Sequence, residues 1–409
     1  MRLSENVTVF QAGPFSLIGN LETGYVIGLT ENGARVCERM SHQDVAESEV
    51  AEIDDMLLAH LKAGGFIEGI SRTASEPARS AYLHVTPRCN LSCRGCYSRR
   101  QDDAASDLSL DELCSIVDRL ASAGVKRLVI SGGEPFLRED LPELIRHAKL
   151  DAHMEHIDIL TNGTFVPATV LDKLIGIVDR ICVSFDGPSQ ESAAYLREQQ
   201  RFDTLTDTVR TIQAAGIPTH IIATIHALNM DDIPAYKQLA AELDVTVSFS
   251  LLSAPGDDPQ TASLIPDDAA LKNLAYALFG ASMLSTDPAG GPLSTSLSVC
   301  SLCGAGNTNM SVDAKGALYP CHMLHYDELK MASMLDESVD ELCANNPFAH
   351  IGVDSIPECA SCDIRYLCGG GCRARAFYAT GNAYARDPYC ALMKEHHSIL
   401  FKALSAMTQ

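Results

Sequence analysis

The sequence predicts an α/β protein with a parallel sheet, and two observations support this prediction. Between residues 81 and 253, apolar runs of strand length alternate with amphipathic runs of helix length. This alternation indicates right-handed crossovers in a parallel sheet, either a barrel or a doubly wound sheet. A Pro- and Gly-rich stretch then leads to a cysteine-rich tail from Cys300 to Cys390, where we expect a further domain.

The strand-like and helical runs follow each other in a regular order. The strand-like runs are AYLHVT, RLVIS, HIDILTN, RICVSFD, THIIATI and VTVSFS. The helical runs between them are LDELCSIVDRLASAG, LPELIRHAKL, VLDKLIGIV, FDTLTDTVRTIQAAG and IPAYKQLAAELD. Because the carboxyl ends of parallel strands meet at one edge, we expect functional side chains directly after these strands.

The first 70 residues have a different pattern. The strand-like segments FSLIG and GYVIGL flank the turn-like NLETG. Two helical stretches follow, ENGARVCERM and VAEIDDMLLAHLKA, and the second ends at Gly64, as helices often do at glycine. The pattern predicts a hairpin followed by helices.

Composition and charge exclude several classes of protein. With 409 residues and 46% hydrophobic content, the chain is expected to fold into two or three domains. A net charge of -22 argues against binding to a nucleic-acid backbone. The N-terminus MRLSENVTVF does not resemble an export signal, and no window approaches the roughly 18 apolar residues of a membrane span. We therefore expect a cytoplasmic protein with no membrane partner.

Fifteen cysteines, most of them at short and regular spacings, indicate metal clusters in a reducing compartment. Three of them, Cys89, Cys93 and Cys96, follow the first core strand in the stretch CNLSCRGCYS. An odd number of thiols on so short a loop does not pair into internal disulfides. Three thiolates hold three irons of a 4Fe-4S cluster and leave the fourth iron open. A zinc knuckle completed from elsewhere is the alternative.

This CX3CX2C spacing resembles that of the radical SAM enzymes. The resemblance implies a partial (β/α)6 barrel in which the open iron is chelated by S-adenosyl-L-methionine. One-electron reduction then cleaves this cofactor to methionine and a 5'-deoxyadenosyl radical. The resemblance also implies that Tyr97, directly after the last cysteine, lies against the adenine.

The next strand end carries a segment similar to the GGEP motif of the same family. The segment consists of Gly132, Gly133, Glu134 and Pro135. By resemblance, its backbone and the glutamate receive the ammonium group of the cofactor's methionine part. The glycines permit a close approach of the backbone.

The following two strand ends also resemble family motifs. Thr161 and Asn162 begin a TNG segment, and Ser184 and Asp186 belong to an SFDG segment. The resemblance implies that both line the ribose and carboxylate side of the cofactor. Arg197 lies where many relatives pair an arginine with the cofactor carboxylate, although a glutamate here replaces the glycine that usually follows it.

The tail is similar to the SPASM extension of radical SAM enzymes, which has seven cysteines in a fixed order. Here they are Cys303, Cys321, Cys359, Cys362, Cys368, Cys372 and Cys390. With Cys300, eight thiols are available, enough for two fully ligated 4Fe-4S clusters in addition to the first, three in all. The resemblance assigns Cys300, Cys303, Cys321 and Cys372 to one cluster and Cys359, Cys362, Cys368 and Cys390 to the other. Whether Cys300 ligates stays open, as does a zinc ribbon.

Several further residues have simpler interpretations. Cys37, Cys114 and Cys182 lie within helical or strand-like runs and are expected to be small buried hydrophobes, while Cys343 has no assigned role. His84, His226 and Asn229 are expected to be hydrogen-bonded structural side chains. By resemblance, His322 occupies the position of the catalytic aspartate of sulfatase-maturing relatives, so the sequence argues against that activity.

The N-terminal region resembles the peptide-binding domain of enzymes that modify ribosomal peptides. Such domains bind a leader peptide as an added strand at an exposed sheet edge. A generic winged-helix-like cap is the alternative. The expected domains are residues 1–70 for peptide recognition, 81–253 for the radical SAM core, 254–299 as a connector and 300–409 for the auxiliary clusters.

Together the resemblances imply an enzyme that modifies a ribosomally made precursor peptide. The first expectation is a thioether cross-link. Closing such a bond releases an electron, and an auxiliary cluster is suited to accept it. Carbon-carbon cross-linking, epimerisation and a non-peptide substrate such as a tetrapyrrole remain open. The cofactor motifs disfavour a non-catalytic iron-sulfur carrier. An electron donor such as flavodoxin or ferredoxin is expected, and no nucleic acid.

Overall fold

The computed structural model describes residues 1–53, 55–70, 79–100, 107–197, 199–253, 259–280, 297–336 and 345–407. In the first 70 residues, three strands precede three helices. They are β1 (Val7–Ala12), β2 (Phe15–Asn20), β3 (Val26–Leu29), α1 (Glu31–His42), α2 (Glu47–Ile53) and α3 (Asp55–Ala63). The sequence analysis missed β1, and its second helical stretch forms two helices.

The strand β3 is an outer strand of an antiparallel sheet with the order β1-β2-β3. The Asn20 N–H donates to the Tyr25 carbonyl at 2.8 Å. Because hydrogen-bonded pairs alternate along antiparallel strands, the N–H and C=O groups of Val26 and Gly28 point away from β2. No other strand pairs with this edge in the part of the chain that the structure describes.

The core contains the six predicted strands and the five predicted helices in the predicted order. The strands are β4 (Arg79–His84), β5 (Val125–Ser131), β6 (His156–Thr161), β7 (Arg180–Phe185), β8 (Thr219–Ile225) and β9 (Thr246–Leu251). The helices are α4 (Leu110–Ser122), α5 (Leu141–Arg146), α6 (Ala168–Leu174), α7 (Phe202–Ala214) and α8 (Ile233–Glu242). All six strands are parallel neighbours, which confirms the α/β fold class.

The helices of the core stay in place because each buries an apolar stripe against the sheet. In α4, Leu113, Ile116 and Leu120 are fully buried, at the spacing that places side chains on one helix face. A capping box between Ser109 and Glu112 fixes the start of this helix. The strand carboxyl ends are thereby held at one edge, where the cysteine loop begins.

The rest of the chain packs onto this core as short strands and helices. They are α9 (Pro259–Ala262), α10 (Asp268–Phe279), β10 (Asn309–Val312), β11 (Ala317–Tyr319), β12 (Ala332–Ser333), α11 (Arg365–Cys368), α12 (Arg373–Thr380) and α13 (Cys390–Met407). The strand β10 pairs in parallel with β4, so β10, β11 and β12 extend the core sheet to nine strands. The sequence analysis did not foresee this joint sheet. The connector also contains α10, which packs against α13.

The N-terminal sheet packs against the tail through its own apolar cluster. Phe10 and Leu17 of this sheet are buried together with Val299, Val353 and Phe401. The Val299 N–H also donates to the carbonyl of Gly24, just before β3, at 3.0 Å. The N-terminal domain is therefore held close to the cysteine-rich region. Within the described residues, no helix combines the length and apolar character needed to cross a membrane.

Candidate functional site

The loop that holds Cys89, Cys93 and Cys96, called the cluster loop from here on, follows β4 at the carboxyl edge of the sheet. Cys89 and Cys96 are exposed and Cys93 is half-buried. The pKa of Cys93 is raised to about 11, mainly by burial, while Arg197 lowers it and Cys96 and Cys89 raise it. The three thiols therefore lie within electrostatic reach of one another, and a bound cation would favour their deprotonated form.

The GGEP segment packs directly on the chain that leads into the cluster loop. The Gly133 N–H donates to the Thr86 carbonyl at 2.7 Å, and the Glu134 N–H donates to the Arg88 carbonyl at 2.8 Å. A Cβ on Gly133 would lie 1.9 Å from the Arg88 oxygen, so no larger residue fits there. Gly132 has a φ of +128°, which also favours glycine. Pro135 begins the short turn that follows.

The carboxylate of Glu134 is fully buried and joins two strand ends. It accepts hydrogen bonds from the Thr161 hydroxyl at 2.8 Å, the Asn162 N–H at 2.8 Å and the Phe136 N–H at 3.2 Å. Burial raises its pKa to about 7, although these donors lower it. A carboxylate in this state is suited to bind a cation that replaces the lost solvation.

Arg197 lies beside the cluster loop with part of its guanidinium unused. Its Nη2 donates to the Ser184 carbonyl at 2.6 Å, and its backbone N–H donates to Asp186 Oδ2 at 2.9 Å. Its Nη1 is buried and has no hydrogen-bond partner among the described residues. A buried guanidinium N–H without a partner is costly, so an anionic group of a ligand would satisfy it.

Tyr97 connects the cluster loop to the tail. Its hydroxyl is 3.3 Å from the hydroxyl of Ser131, at the end of β5. Its ring packs edge-on against His322, with centroids 5.1 Å apart, and near His84 at 5.9 Å. His322 also stacks on Tyr82 at 4.1 Å, and burial lowers its pKa to about 4, so the imidazole is neutral. The site of the core and that of the tail therefore meet at this histidine.

The cysteines of the tail fall into two groups, one by mutual electrostatic influence and the other by a shared cavity. The first thiol set consists of Cys300, Cys303, Cys321 and Cys372. Burial raises the pKa of Cys321, and Cys372 and Cys303 raise it further. Burial, and then Cys303, also raise the pKa of Cys300. These neighbours are the ones that the resemblance assigned to one cluster.

The second thiol set consists of Cys359, Cys362, Cys368 and Cys390. All four line one cavity of about 80 Å³. The pKa of Cys368 is raised to about 12, mainly by burial. The negative charges of Asp387, Cys390 and Cys359 contribute to this rise in decreasing order. Among the described residues, no three His, Cys, Asp or Glu side chains converge closely enough to chelate a single metal ion.

A cavity of about 1060 Å³ lies between the core strands and the first thiol set. Cys303, Cys321 and Cys372 line it, as do inward side chains of the strands such as Arg180 and His220. The sequence analysis missed most of these polar side chains, although they occupy alternate strand positions. Asp158, for example, accepts two hydrogen bonds from Arg180, at 3.0 and 2.8 Å.

The residues given structural roles have internal partners. The Asn229 side chain accepts from the His226 N–H at 2.8 Å and donates to the Thr224 carbonyl at 2.9 Å. The Nδ1 of His226 accepts from the Leu228 N–H at 3.2 Å. Cys37 and Cys182 are buried as expected, whereas Cys114 is half-buried. Cys343 lies outside the described residues.

Comparisons with protein families identify two domains. The model of the radical SAM superfamily matches residues 83–240, and that of SPASM, an iron-sulfur cluster-binding domain, matches residues 303–363. The PqqA peptide cyclase of Granulibacter bethesdensis is 27% identical over 347 residues, which cover 81% of this chain and 91% of that protein. The Fe-coproporphyrin III synthase of Methanosarcina barkeri is 28% identical and covers 76% of this chain and 87% of its own length.

Solved structures share the fold. Native anSMEcpe with bound AdoMet has a TM-score of 0.65 at 20% identity, covering 80% of this chain and 98% of that chain. Streptococcus suis SuiB bound to precursor peptide SuiA has a TM-score of 0.59 at 16% identity, covering 95% and 99%. As its cysteine motifs predicted, the chain contains a radical SAM domain followed by a SPASM iron-sulfur cluster-binding domain: it is an enzyme, and its cofactors are S-adenosyl-L-methionine and 4Fe-4S clusters.

Proposed function

We propose that this enzyme matures a ribosomally made precursor peptide by forming a cross-link, with a thioether between a cysteine sulfur and a peptide carbon as the first product to test. The observation that carries the peptide substrate is the outer edge of β3, where Val26 and Gly28 present backbone groups to no neighbouring strand in the described structure. An extended leader peptide pairs with such an edge through main-chain hydrogen bonds.

The residues of the core fit the cofactors. The cluster loop offers three thiolates for a 4Fe-4S cluster with one open iron. The buried carboxylate of Glu134 suits the ammonium group of S-adenosyl-L-methionine, and the unpartnered Nη1 of Arg197 suits its carboxylate. When bound, the reduced cluster and S-adenosyl-L-methionine supply a 5'-deoxyadenosyl radical that abstracts hydrogen from the substrate.

The remaining assigned residues bind and orient these groups. The ring of Tyr97 packs against the adenine. The ends of β6 and β7 carry the residues that line the ribose and carboxylate side of the cofactor, which are Thr161, Asn162, Ser184 and Asp186. The two thiol sets each hold one auxiliary 4Fe-4S cluster. The cavity beside the first thiol set is large enough for a peptide segment, and its protein walls shield the reacting centre from water.

Two relatives favour particular alternatives. The name PqqA peptide cyclase describes ring formation on a peptide, which supports a cross-link, and a carbon-carbon bond is the second candidate product. The Fe-coproporphyrin III synthase supports a tetrapyrrole as the non-peptide candidate. The N-terminal sheet favours the peptide, because an open strand edge has no evident use in binding a tetrapyrrole.

The test uses Val26, whose N–H points to the open edge. Val26→Pro removes this donor and keeps the hydrogen bonds between β2 and β3, because the N–H of Val26 is not used in that ladder. We expect leader binding to weaken at least about tenfold, equivalent to ~1.4 kcal/mol. The variant should keep its iron and its cleavage of S-adenosyl-L-methionine without substrate.

Val26→Ala is the matched control, because it shortens the side chain and retains the N–H. A point variant is preferable to deletion of residues 1–70, which would expose Val353 and Phe401 of the tail. The substrate to offer is a short cysteine-rich peptide encoded beside this gene. Equal binding and modification by the parent and Val26→Pro would refute recognition at this edge.

Mass analysis of the modified peptide identifies the reaction. Loss of two hydrogens together with a cysteine that no longer reacts with iodoacetamide supports the thioether. Loss of two hydrogens with every cysteine still reactive indicates a carbon-carbon bond. An unchanged mass with altered chirality indicates epimerisation. Modification of coproporphyrin but of no peptide would overturn the peptide assignment.

A further inference from the structure

We propose that Asp387 and Arg375 form a clamp, a buried ion pair that fixes one ligand loop of each auxiliary cluster and sets the reduction potentials of both clusters. The proposal rests on the assignment of the two thiol sets to two clusters. It does not depend on the substrate, because its test measures iron and potentials without any peptide.

Asp387 holds a cysteine from each thiol set. Its side chain is 3% exposed. Its Oδ2 accepts a hydrogen bond from the backbone N–H of Cys372, in the first thiol set, at 2.6 Å. Its backbone carbonyl accepts from the N–H of Cys390, in the second thiol set, at 3.0 Å, and its Oδ1 accepts from the N–H of Tyr389 at 2.9 Å. One residue therefore connects the two sets.

Arg375 completes the clamp from the preceding helix, α12. Its Nε and Nη2 donate to the two oxygens of Asp387 at 3.0 and 2.7 Å, the bidentate geometry that orients both groups. Its guanidinium lies over the ring of Tyr389, 4.8 Å from the centroid, and the hydroxyl of Tyr389 donates to the Leu252 carbonyl at 2.8 Å. Because Leu252 directly follows β9, the clamp is anchored to the core.

The backbone near the clamp is shaped to admit the carboxylate. Gly371 has a φ of +72°, and a Cβ on it would lie 2.5 Å from Oδ2 of Asp387. Any other residue there would displace the carboxylate from the N–H of Cys372. The close approach at Gly371 thus serves the position of Asp387.

The two charges of the clamp have opposite signs and lie beside the ligand loops of both clusters. The carboxylate of Asp387 accepts from the N–H of Cys372, and the guanidinium of Arg375 is 2.7 Å from that carboxylate. A 4Fe-4S cluster with four thiolates is anionic, and its reduction adds a further negative charge. Its potential therefore responds to nearby charge and to hydrogen bonding.

This arrangement gives a test by sign. Arg375→Gln leaves the carboxylate uncompensated, so both auxiliary clusters should become harder to reduce. Asp387→Asn leaves the guanidinium uncompensated, so both should become easier to reduce. In the double variant, neither charge remains, and the potentials should return toward those of the parent. A merely structural pair would not produce opposite shifts.

The measurement is a redox titration followed by electron paramagnetic resonance on the full chain after anaerobic reconstitution. The cluster loop carries Cys→Ala at all three positions, so that only auxiliary clusters contribute. Glu358→Gln is the control, because Glu358 is an exposed carboxylate next to Cys359 and solvent screens its charge. Its removal should shift the potentials less than either clamp variant.

Each outcome decides the proposal. Opposite shifts in the two single variants support it, and shifts in the same direction, or none, overturn it. If a single variant loses iron while the double variant retains it, charge compensation is supported. If both single variants and the double variant lose the same amount of iron, the pair is structural only and the proposal fails. Arg375→Lys keeps the positive charge, so the reduction potentials of both clusters should stay close to those of the parent.

Discussion

The cluster loop and the tail use the same side chain in two different environments. In the cluster loop, two of the three thiols are exposed, and the neighbouring side chains, among them Asn162 and Arg197, are polar groups suited to a small ligand. In the tail, none of the eight thiols is exposed, and other thiols are among the groups that act on them. The difference supports the proposal that the loop holds a cluster with an open iron and that the tail holds the auxiliary clusters.

The largest expected effect tests the assignment of the cluster loop. Replacing all three cysteines of the cluster loop by Ala should abolish cleavage of S-adenosyl-L-methionine, because we assign the iron that binds this cofactor to the cluster loop. Iron content should fall by about one 4Fe-4S cluster per chain. The measurements are 5'-deoxyadenosine by chromatography and iron by colorimetry, after anaerobic reconstitution. Continued formation of 5'-deoxyadenosine would contradict the assignment of the loop.

The second prediction tests whether the second thiol set in the tail holds a 4Fe-4S cluster. Replacing Cys359 and Cys362 by Ala should lower iron content by about one cluster and stop product formation. Cleavage of S-adenosyl-L-methionine without product should survive, since the cluster loop is intact. Cys37→Ala is a suitable control, because Cys37 is buried in the N-terminal domain, away from the thiol sets. Unchanged iron, or zinc in its place, would show that the second thiol set holds no such cluster.

The sequence predicted the parts of the two regions that depend on local pattern. The six core strands are apolar runs at regular distances, and the cofactor motifs follow them directly, so position along the chain predicted position at the sheet edge. β1 and α10 were also readable. VTVFQA is rich in β-branched residues, and DAALKNLAYALF places Leu271, Leu274 and Leu278 on one face. The Pro- and Gly-rich surroundings concealed the second pattern.

Other features depend on distant pairing and were not readable. The four-residue strand β10 joins β4 through pairs such as Asn309 with Ser80, which are far apart in the sequence. The clamp is likewise invisible in sequence, because nothing local indicates that Asp387 turns toward Arg375 rather than toward solvent. Tertiary packing decides such contacts, and a single sequence contains no direct record of them.

The third prediction concerns the contact of Arg197 with S-adenosyl-L-methionine. Arg197→Gln removes the guanidinium whose Nη1 is unpartnered, and a charge-assisted hydrogen bond of roughly 1.5–3 kcal/mol should be lost with it. The dissociation constant of S-adenosyl-L-methionine should rise by about tenfold to a hundredfold. Anaerobic calorimetry measures it, with Arg210→Gln on the exposed face of α7 as control. Iron in the tail should not change, and equal affinities of the two variants would exclude this contact.

The smallest expected effect concerns pH and Glu134. Its pKa is raised to about 7 in the chain without cofactor, so below pH 7 the carboxyl is increasingly protonated and must release a proton before it receives an ammonium group. Affinity for S-adenosyl-L-methionine should therefore fall, by up to about tenfold per pH unit, between pH 7 and pH 6. The cofactor's own amino group remains protonated in this window, because an α-amino group titrates near about 7.7.

The same carboxyl affects the stability of the chain without cofactor, and the sign follows from its raised pKa. The stabilising contribution of the protonated group is complete below its ordinary pKa of 4.5 and is lost as the pH rises through about 7. Glu134→Gln cannot ionise and should remove both pH dependences. Its affinity for S-adenosyl-L-methionine should be weaker than that of the parent but constant between pH 6 and pH 7. Residue 134 should also no longer lower the thermal midpoint as the pH rises through this range. Calorimetric titrations and melting curves at half-unit steps measure the two effects. If Glu134→Gln kept the parent's slope in affinity, another group would be responsible, and Glu134 would not be the ammonium ligand.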